Sequence, residues 1–390
     1  MTDWKKGFTD FAKKLETKVE EQREKLGFGS DRPLRIEAYR GFGTPGRAWV
    51  KARVLRGMPL PPARDTDSVW INLAAMLQRF ESDEVPGATV RVRYPGGEQL
   101  LKTDREGYCE CWFDVSPAFA TTQPWHLVEM ELVDPPSPHP VRADARVLVP
   151  PRTARFGVIS DLDDTVVRTD VASRVRMAKN VFLGNAYTRT PFPGVAAFYR
   201  ALERGCGGYA HNPVFYVSSS PWNLFDVLAE FLELKKIPAG PLFLRDWGIS
   251  SVDPGEGGHL GHKLRHIRII LEQFPTLPFI LVGDSGQEDP EIYHRAVIEH
   301  PRRILAVYIR NVSRAPARAD AIRALAAEVE KAGSTLILAD DTAAAARHAA
   351  QSGWIDADAL AEVGAVAAAE QPPPSEALRQ TNEELSAGDV

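Results

Sequence analysis

Cysteine is nearly absent from this chain. Three in 390 residues, at Cys109, Cys111 and Cys206, are too few and too odd in number for a disulfide framework. Cys109 and Cys111 stand two apart in a segment of strand character, so they share a face; with no further ligands beside them they read as packing residues rather than a metal site. Positive charge is short as well. A formal net charge of -5 removes the basic surplus that a dedicated nucleic-acid binder carries, so no nucleic-acid partner is expected. No apolar run reaches the roughly 20 residues of a transmembrane helix, and the charged start Met1-Thr2-Asp3-Trp4-Lys5-Lys6 leads into no signal-peptide core. The expectation is a cytoplasmic protein without a transmembrane segment. Its content, 44% hydrophobic and 25% charged, is that of a globular chain long enough for two domains.

What the chain does have, in one place, is carboxylate at the end of an apolar run. Phe156-Gly157-Val158-Ile159 reads as a buried strand and passes directly into Ser160-Asp161-Leu162-Asp163-Asp164-Thr165. Aspartate is costly to bury, and three within four positions repel one another unless a cation, or a substrate bound through one, sits among them. A solvated Asp-rich turn is the competing reading of this stretch in isolation. The chemistry that suits the spacing is phosphoryl transfer through an aspartyl-phosphate. An ionised Asp161 attacks phosphorus while a divalent metal screens the repulsion, and Asp163, two residues on and facing the same way, gives a proton to the leaving oxygen and later takes one from water.

Further strand ends carry polar groups. Pro213-Val214-Phe215-Tyr216-Val217 reads as a strand that stops in Ser218-Ser219-Ser220-Pro221-Trp222, with Pro221 suited to the first turn of a helix. There the Ser218 hydroxyl and the backbone N–H groups could cradle a phosphate, plain helix-capping serines being the alternative. A third strand is expected over 241–245. The amphipathic segment 261–271 forms a helix with Lys263 in its opening turn, where an ammonium opposes the helix dipole and asks for an anion nearby; snorkelling to solvent is the alternative. Pro278-Phe279-Ile280-Leu281-Val282 is a fourth strand, ending in Gly283-Asp284-Ser285-Gly286-Gln287-Glu288-Asp289. Magnesium prefers about six oxygens, few of them protein carboxylates. Asp161, the backbone carbonyl of Asp163 and Asp284, completed by water and substrate, would make such a set, with Asp289 behind it or holding Lys263.

Upstream the period changes. Within residues 1–30, Trp4, Phe8, Phe11, Leu15 and Val19 form a narrow stripe on an amphipathic helix flanked by lysines; docking on protein is the commoner fate of such a helix, and contact with an anionic membrane surface the alternative. Residues 31–151 alternate apolar and polar over 34–39, 48–54, 88–94, 108–113, 126–132 and 141–149, which predicts an antiparallel β-sandwich of immunoglobulin-like type with a helical insertion at 68–80 and no catalytic constellation. Pro150-Pro151 closes it. Residues 152–352 are read as an α/β domain, with 168–189 as a helical flap over the mouth of the site, further strands at 304–310 and 335–338, and helices at 320–331 and 342–351. Residues 366–390 are expected to be a mobile polar tail.

The D-x-D-x-T pattern of Asp161 to Thr165 resembles the first motif of the haloacid dehalogenase superfamily, and the nucleophile strand, serine strand, lysine helix and acidic strand occur in the order found in its phosphatases. Their wording, Ser160-Asp161-Leu162-Asp163-Asp164-Thr165, Tyr216-Val217-Ser218-Ser219-Ser220-Pro221-Trp222, His262-Lys263 and Gly283-Asp284-Ser285-Gly286-Gln287-Glu288-Asp289-Pro290-Glu291-Ile292-Tyr293, is similar to the actin-patch-type phosphatidate phosphatases and their bacterial relatives. The resemblance implies a Rossmann-like doubly wound haloacid dehalogenase domain and a magnesium-dependent phosphatase converting phosphatidate to diacylglycerol. It implies Asp161 as nucleophile, Asp163 as acid and base, Ser218, Ser219 and Lys263 on the phosphate, and a phospholipid partner met at a membrane surface. A phosphatase of soluble sugar or nucleotide phosphates, and a non-catalytic lipid- or protein-binding module, are the alternatives.

Overall fold

Alternation of apolar and polar residues builds the first sheet. The computed structural model describes residues 32–57, 83–166, 191–245, 259–313 and 315–371. The expected N-terminal helix, the insertion at 68–80, the flap at 168–189 and the tail beyond 371 lie outside them. Strands β1 (Leu34–Ala38), β2 (Gly41–Thr44), β3 (Arg47–Arg56), β4 (Asp83–Glu84), β5 (Thr89–Tyr94), β6 (Gly97–Lys102), β7 (Tyr108–Asp114), β8 (Trp125–Asp134) and β9 (Arg142–Leu148) form one sheet. Its order is β1-β3-β2-β9-β8-β5-β6, with β4 and β7 paired to β3. All pairs are antiparallel except β2 with β9. The inward positions Val50, Val54, Val90, Val92, Val128, Met130 and Val147 share one core, and Cys109 is buried in it as a packing residue. On the other face of β5 and β8, Arg93 pairs with Glu129 and Glu131, so the period of two separates an apolar layer from a charged one.

Besides the two-residue β4, two strands carry no such pattern and were not expected. In β6 nearly every side chain is exposed or half-exposed, because the strand ends the sheet and has no buried face to mark it. In β2, Gly41-Phe42-Gly43 has glycine where neighbouring backbone comes close: a Cβ on Gly41 would stand 2.2 Å from the Trp49 carbonyl oxygen.

The second sheet is wholly parallel and has six strands: β10 (Gly157–Ser160), β11 (Val214–Pro221), β12 (Leu242–Arg245), β13 (Phe279–Asp284), β14 (Ile304–Arg310) and β15 (Leu336–Ala339). The order is β12-β11-β10-β13-β14-β15. The chain thus winds outward one way from β10 and then the other way from β13, and the loops leaving those two adjacent strands part at their carboxyl ends. A crevice at that place is where open parallel sheets take ligands. Helices α1 (Val195–Arg204), α2 (Phe225–Leu234), α3 (His259–Gln273), α4 (Asp289–Glu299), α5 (Pro316–Lys331), α6 (Thr342–Gln351) and α7 (Ala357–Ala369) accompany the strands. Two apolar clusters result. One joins β10, α1 and α2; the other joins α3, α4 and α5 to residues of β11 and β13. Helix α7 was not expected, and it carries regular structure past residue 366, where the polar tail was expected to begin.

The sheets are joined by aromatic rings. Phe42 lies 5.9 Å from Phe215, 5.4 Å from Phe243 and 6.3 Å from Phe274, while Tyr39 lies 4.7 Å from Trp222 and 4.6 Å from Phe225. Both Phe42 and Tyr39 are 1% exposed, so each contributes roughly 2–3 kcal/mol of burial to holding the first sheet against the second.

Candidate active site

The site forms where β10, β11 and β13 end. The pairing of Ser160 with Tyr216 and with Val282 sets the level of all three strands. The Asp161 N–H continues the ladder to the Val282 carbonyl at 2.9 Å, so Asp161 is the last residue tied to the sheet before the chain turns away. Ser160 and Tyr199 brace it from below: the Ser160 hydroxyl donates to the Asp161 carbonyl at 2.5 Å and lies 2.6 Å from the Tyr199 hydroxyl. Asp164 takes a positive φ of 55°, which turns the chain back over the strand end and leaves Thr165 donating to Asp161 Oδ2 at 3.3 Å.

Lys263 fills the space between two carboxylates. Its Nζ is 2.9 Å from Asp161 Oδ1 and 2.5 Å from Asp289 Oδ1, and the three side chains are at most 2% exposed. This is the anion that an ammonium early in α3 asked for. Asp289, at the start of α4, also accepts the Asp284 N–H on Oδ2 at 3.2 Å. It can come so close because residue 283 is glycine. A Cβ there would meet Asp289 Oδ2 at 2.5 Å and the Tyr293 ring at 2.7 Å. Asp284 Oδ1 accepts the N–H groups of Gly286 at 2.6 Å and Gln287 at 3.2 Å, whereas its Oδ2 is buried with no hydrogen-bond partner.

Oxygens of Asp161, Asp284 and Asp289 lie within 4.8 Å of one another, a set that could hold a metal ion. Fully ionised, the three carboxylates and the one ammonium leave a formal charge of -2 in a buried pocket. Burial pushes the Asp161 carboxyl well above the usual carboxylate range; Lys263 opposes this, and Asp289, Asp163 and Asp284 add to it. Asp284 is pushed up to about 7 by burial and then by Asp289. Burial alone would pull the Lys263 ammonium down, but Asp161 and Asp289 together hold it above its ordinary value, so it stays charged. The cluster therefore wants either protons or a divalent cation, and the orphaned Asp284 Oδ2 is the acceptor that a proton or a cation would satisfy.

Asp163 stands apart from this cluster, half-buried, with its Oδ2 accepting from the Ser218 hydroxyl at 2.8 Å and the Ser220 hydroxyl at 3.0 Å. The Ser220 N–H in turn donates to Ser218 Oγ at 2.9 Å. Ser218, expected on the phosphate, is fully buried with its hydroxyl hydrogen committed to Asp163. Ser219 between them is half-buried. Strand β11 runs on through the serines to Pro221, which was expected inside a helix; it instead precedes a 3-10 turn over Trp222–Leu224 in extended conformation. Three contributors went unassigned in the sequence: Ser220, whose step of two from Ser218 marks it as a partner on the same strand, Thr165, and the close-approach role of Gly283.

Residues 156–311 match the family model described as phosphatidate phosphatase APP1, catalytic domain. The phosphatidate phosphatase APP1 of Saccharomyces cerevisiae is 36% identical over 156 residues, 40% of this chain and 26% of the yeast protein. An uncharacterized protein, C29B5.04c, of Schizosaccharomyces pombe is 29% identical over 162 residues, 40% of this chain and 25% of its own. The chain thus spans about a quarter of the length of each relative. Among solved structures, a carbohydrate acetylesterase from Xanthomonas citri aligns over 68% of this chain and 65% of its own at 11% identity, with a TM-score of 0.24, too low to bear on the fold. The stretch that holds all seven candidate site residues, 156–311, is similar to the catalytic domain of the phosphatidate phosphatase APP1 family.

Proposed function

We propose that this protein is a magnesium-dependent phosphoric monoester hydrolase of haloacid dehalogenase type that acts through an aspartyl-phosphate, with phosphatidate as substrate and diacylglycerol as product. The observation that carries the reading is the division of labour between the two aspartates of one strand end. Asp161 is locked at a strand end beside an ammonium, 2.9 Å away, while Asp163 is held separately by two hydroxyls. Binding alone needs no such positioned pair; displacement followed by hydrolysis needs both.

An Asp161 oxygen attacks phosphorus, the bond from phosphorus to the ester oxygen breaks, and its electron pair leaves with that oxygen, which takes a proton from Asp163. Water then loses a proton to Asp163 and attacks the same phosphorus, releasing inorganic phosphate and regenerating the Asp161 carboxylate. Ser218 and Ser220 fix the Asp163 oxygen they share, which leaves Oδ1 to exchange the proton. Lys263 keeps Asp161 oriented and offsets part of the charge that would repel an incoming phosphate. Asp161, Asp284 and the backbone carbonyl of Asp163 would hold the magnesium ion, with Asp289 behind them. When bound, the ion would screen the negative charge of the phosphate from the nucleophile.

The similarity to a yeast protein named phosphatidate phosphatase favours a lipid phosphate over a soluble one. No helix of the described residues is long and apolar enough to cross a membrane, and on this reading the enzyme meets its substrate as a peripheral protein at a bilayer surface on the cytoplasmic side. The test is phosphate release with added magnesium from phosphatidate in mixed micelles, set beside glucose 6-phosphate, a nucleoside monophosphate and an aryl phosphate. Phosphatidate should be turned over best, and Asp161→Asn should abolish the activity. Turnover of the soluble esters alone would move the substrate class, and substantial steady-state activity in Asp161→Asn would remove the covalent route.

A further inference from the structure

At the opposite end of β11 from the serines, a cavity of about 410 Å³ opens between the first sheet and helices α1 and α2. Its size falls within the range of roughly 300–1,000 Å³ typical of small-molecule sites, and none of the carboxylates described above lines it. Its charge is opposite to that of the chain. Arg40, Arg146, Arg200 and Lys236 line it against only Glu203 and Glu233, four cations to two anions, in a protein of net charge -5. Part of that charge is already matched: Arg200 pairs with Glu362 at 3.2 Å, and Glu203 faces His211 at 3.5 Å. Arg40 and Arg146 are not. Among the described residues neither makes an ion pair; Arg40 reaches the Gly240 carbonyl at 3.5 Å, and Arg146 lies over the Trp125 ring, 5.0 Å from its centroid.

Two guanidiniums face the cavity near one another, and Glu233 in its wall offsets only part of the cost to Arg40. Burial, and next the charge of Arg146, pulls the Arg40 guanidinium below its ordinary value. A bound anion would relieve both costs. The ligand that fits two unpaired forks is a dianion with oxygens to spare: a phosphate monoester carries about -1.5 to -2 at neutral pH and accepts bidentate hydrogen bonds from arginine. Leu148 and Ile237, each 3% exposed, give the wall an apolar part beside the cations.

We propose that this cavity is a second ligand site, binding a small organic phosphate between Arg40 and Arg146 with its apolar body against Leu148 and Ile237. It lies at the amino ends of the parallel strands, away from the proposed chemistry, and does not rest on that reading.

The test is isothermal titration of phenyl phosphate into the full chain in the presence of a chelator, so that no turnover enters and the -2 carboxylate cluster disfavours anions at the other site. Wild type should bind. Arg146→Gln and Arg40→Gln should each weaken binding by about 10- to 100-fold, as expected for hydrogen bonds to a charged group. Lys263→Met should leave it unchanged. Arg146 is exposed on β9, so its variant should fold and decides the matter if the Arg40 variant does not. Benzoate, which is monoanionic, should bind at least tenfold more weakly than phenyl phosphate. Absence of binding by wild type, binding that Arg146→Gln leaves intact, or equal affinity for benzoate would each overturn the proposal. Because binding is read without magnesium and without catalysis, these results stand whether or not the enzyme hydrolyses phosphatidate.

Discussion

Lys263→Met tests whether the candidate active site is held together by charge. Methionine keeps most of the apolar stem, so the change removes the ammonium from between Asp161 and Asp289 and little else. Removing one partner of a buried ion pair costs about 3–5 kcal/mol, because the carboxylates left behind are neither solvated nor paired. The pH dependence is what separates this from a packing loss. Lys263 has a folded value above its reference of 10.5, so in wild type its contribution is fully present below that reference and constant across about pH 5 to 8. In the variant the carboxylates decide. Asp161 is already raised by burial, and losing Lys263 removes the influence that lowers it. A carboxyl whose folded value is raised holds its stability at low pH and loses it as pH rises through that folded value. The gap between wild type and Lys263→Met, measured by urea denaturation with a chelator present, should therefore be about 1 kcal/mol near pH 5 and grow to about 3–5 kcal/mol near pH 8. A gap that stays constant with pH would refute the argument and leave the lysine as a packing residue.

Ser218→Ala, by releasing Asp163 from one of its two hydroxyls, should lower kcat by about 10- to 100-fold with little change in KM; a raised KM with kcat intact would mean that Ser218 holds the phosphate after all. Gly283→Ala should cost about 1–3 kcal/mol in urea denaturation and also depress kcat, since the new methyl collides with the aspartate that positions Lys263; an unchanged midpoint and rate would show that Asp289 has room to move. For Asp284, raised from 3.8 to about 7, the stability of the metal-free protein should fall as pH rises through about 7, and Asp284→Asn should flatten that decline while raising the magnesium concentration needed for activity. Thermal unfolding at several pH values, with and without magnesium, reads both; a wild-type profile that is flat across pH 7 would count against a buried, cation-ready carboxylate there.

The strands and the chemistry were legible because each rests on local pattern. An apolar run that stops at Asp161-Leu162-Asp163, and another that stops at Gly283-Asp284, announce strand ends that expose charge, and β10 and β13 end there. Helix α3 was legible from its period, and the need of Lys263 for an anion followed from the direction of the helix dipole. Holding that lysine was one of two roles the sequence left open for Asp289, but its sharing of the Lys263 ammonium with Asp161 was not legible, because Asp161 and Asp289 are brought within 2.9 Å of that one ammonium only by the sheet order β11-β10-β13. The partner of Ser218 was hidden for the same reason. A hydroxyl at a strand end suits a phosphate or a carboxylate equally, and only the pairing of β10 with β11 places Asp163 2.8 Å from it. Strands β2 and β6 escaped notice because glycine and an edge position leave no alternation to detect, and α7 because an alanine-rich segment has little contrast between faces. The sequence by itself determined where carboxylate, hydroxyl and ammonium would emerge from the sheet, since period and propensity act over a few residues. Only the tertiary structure decided which of them meet, because contact between distant segments depends on strand order and register, and those are settled by how whole layers pack.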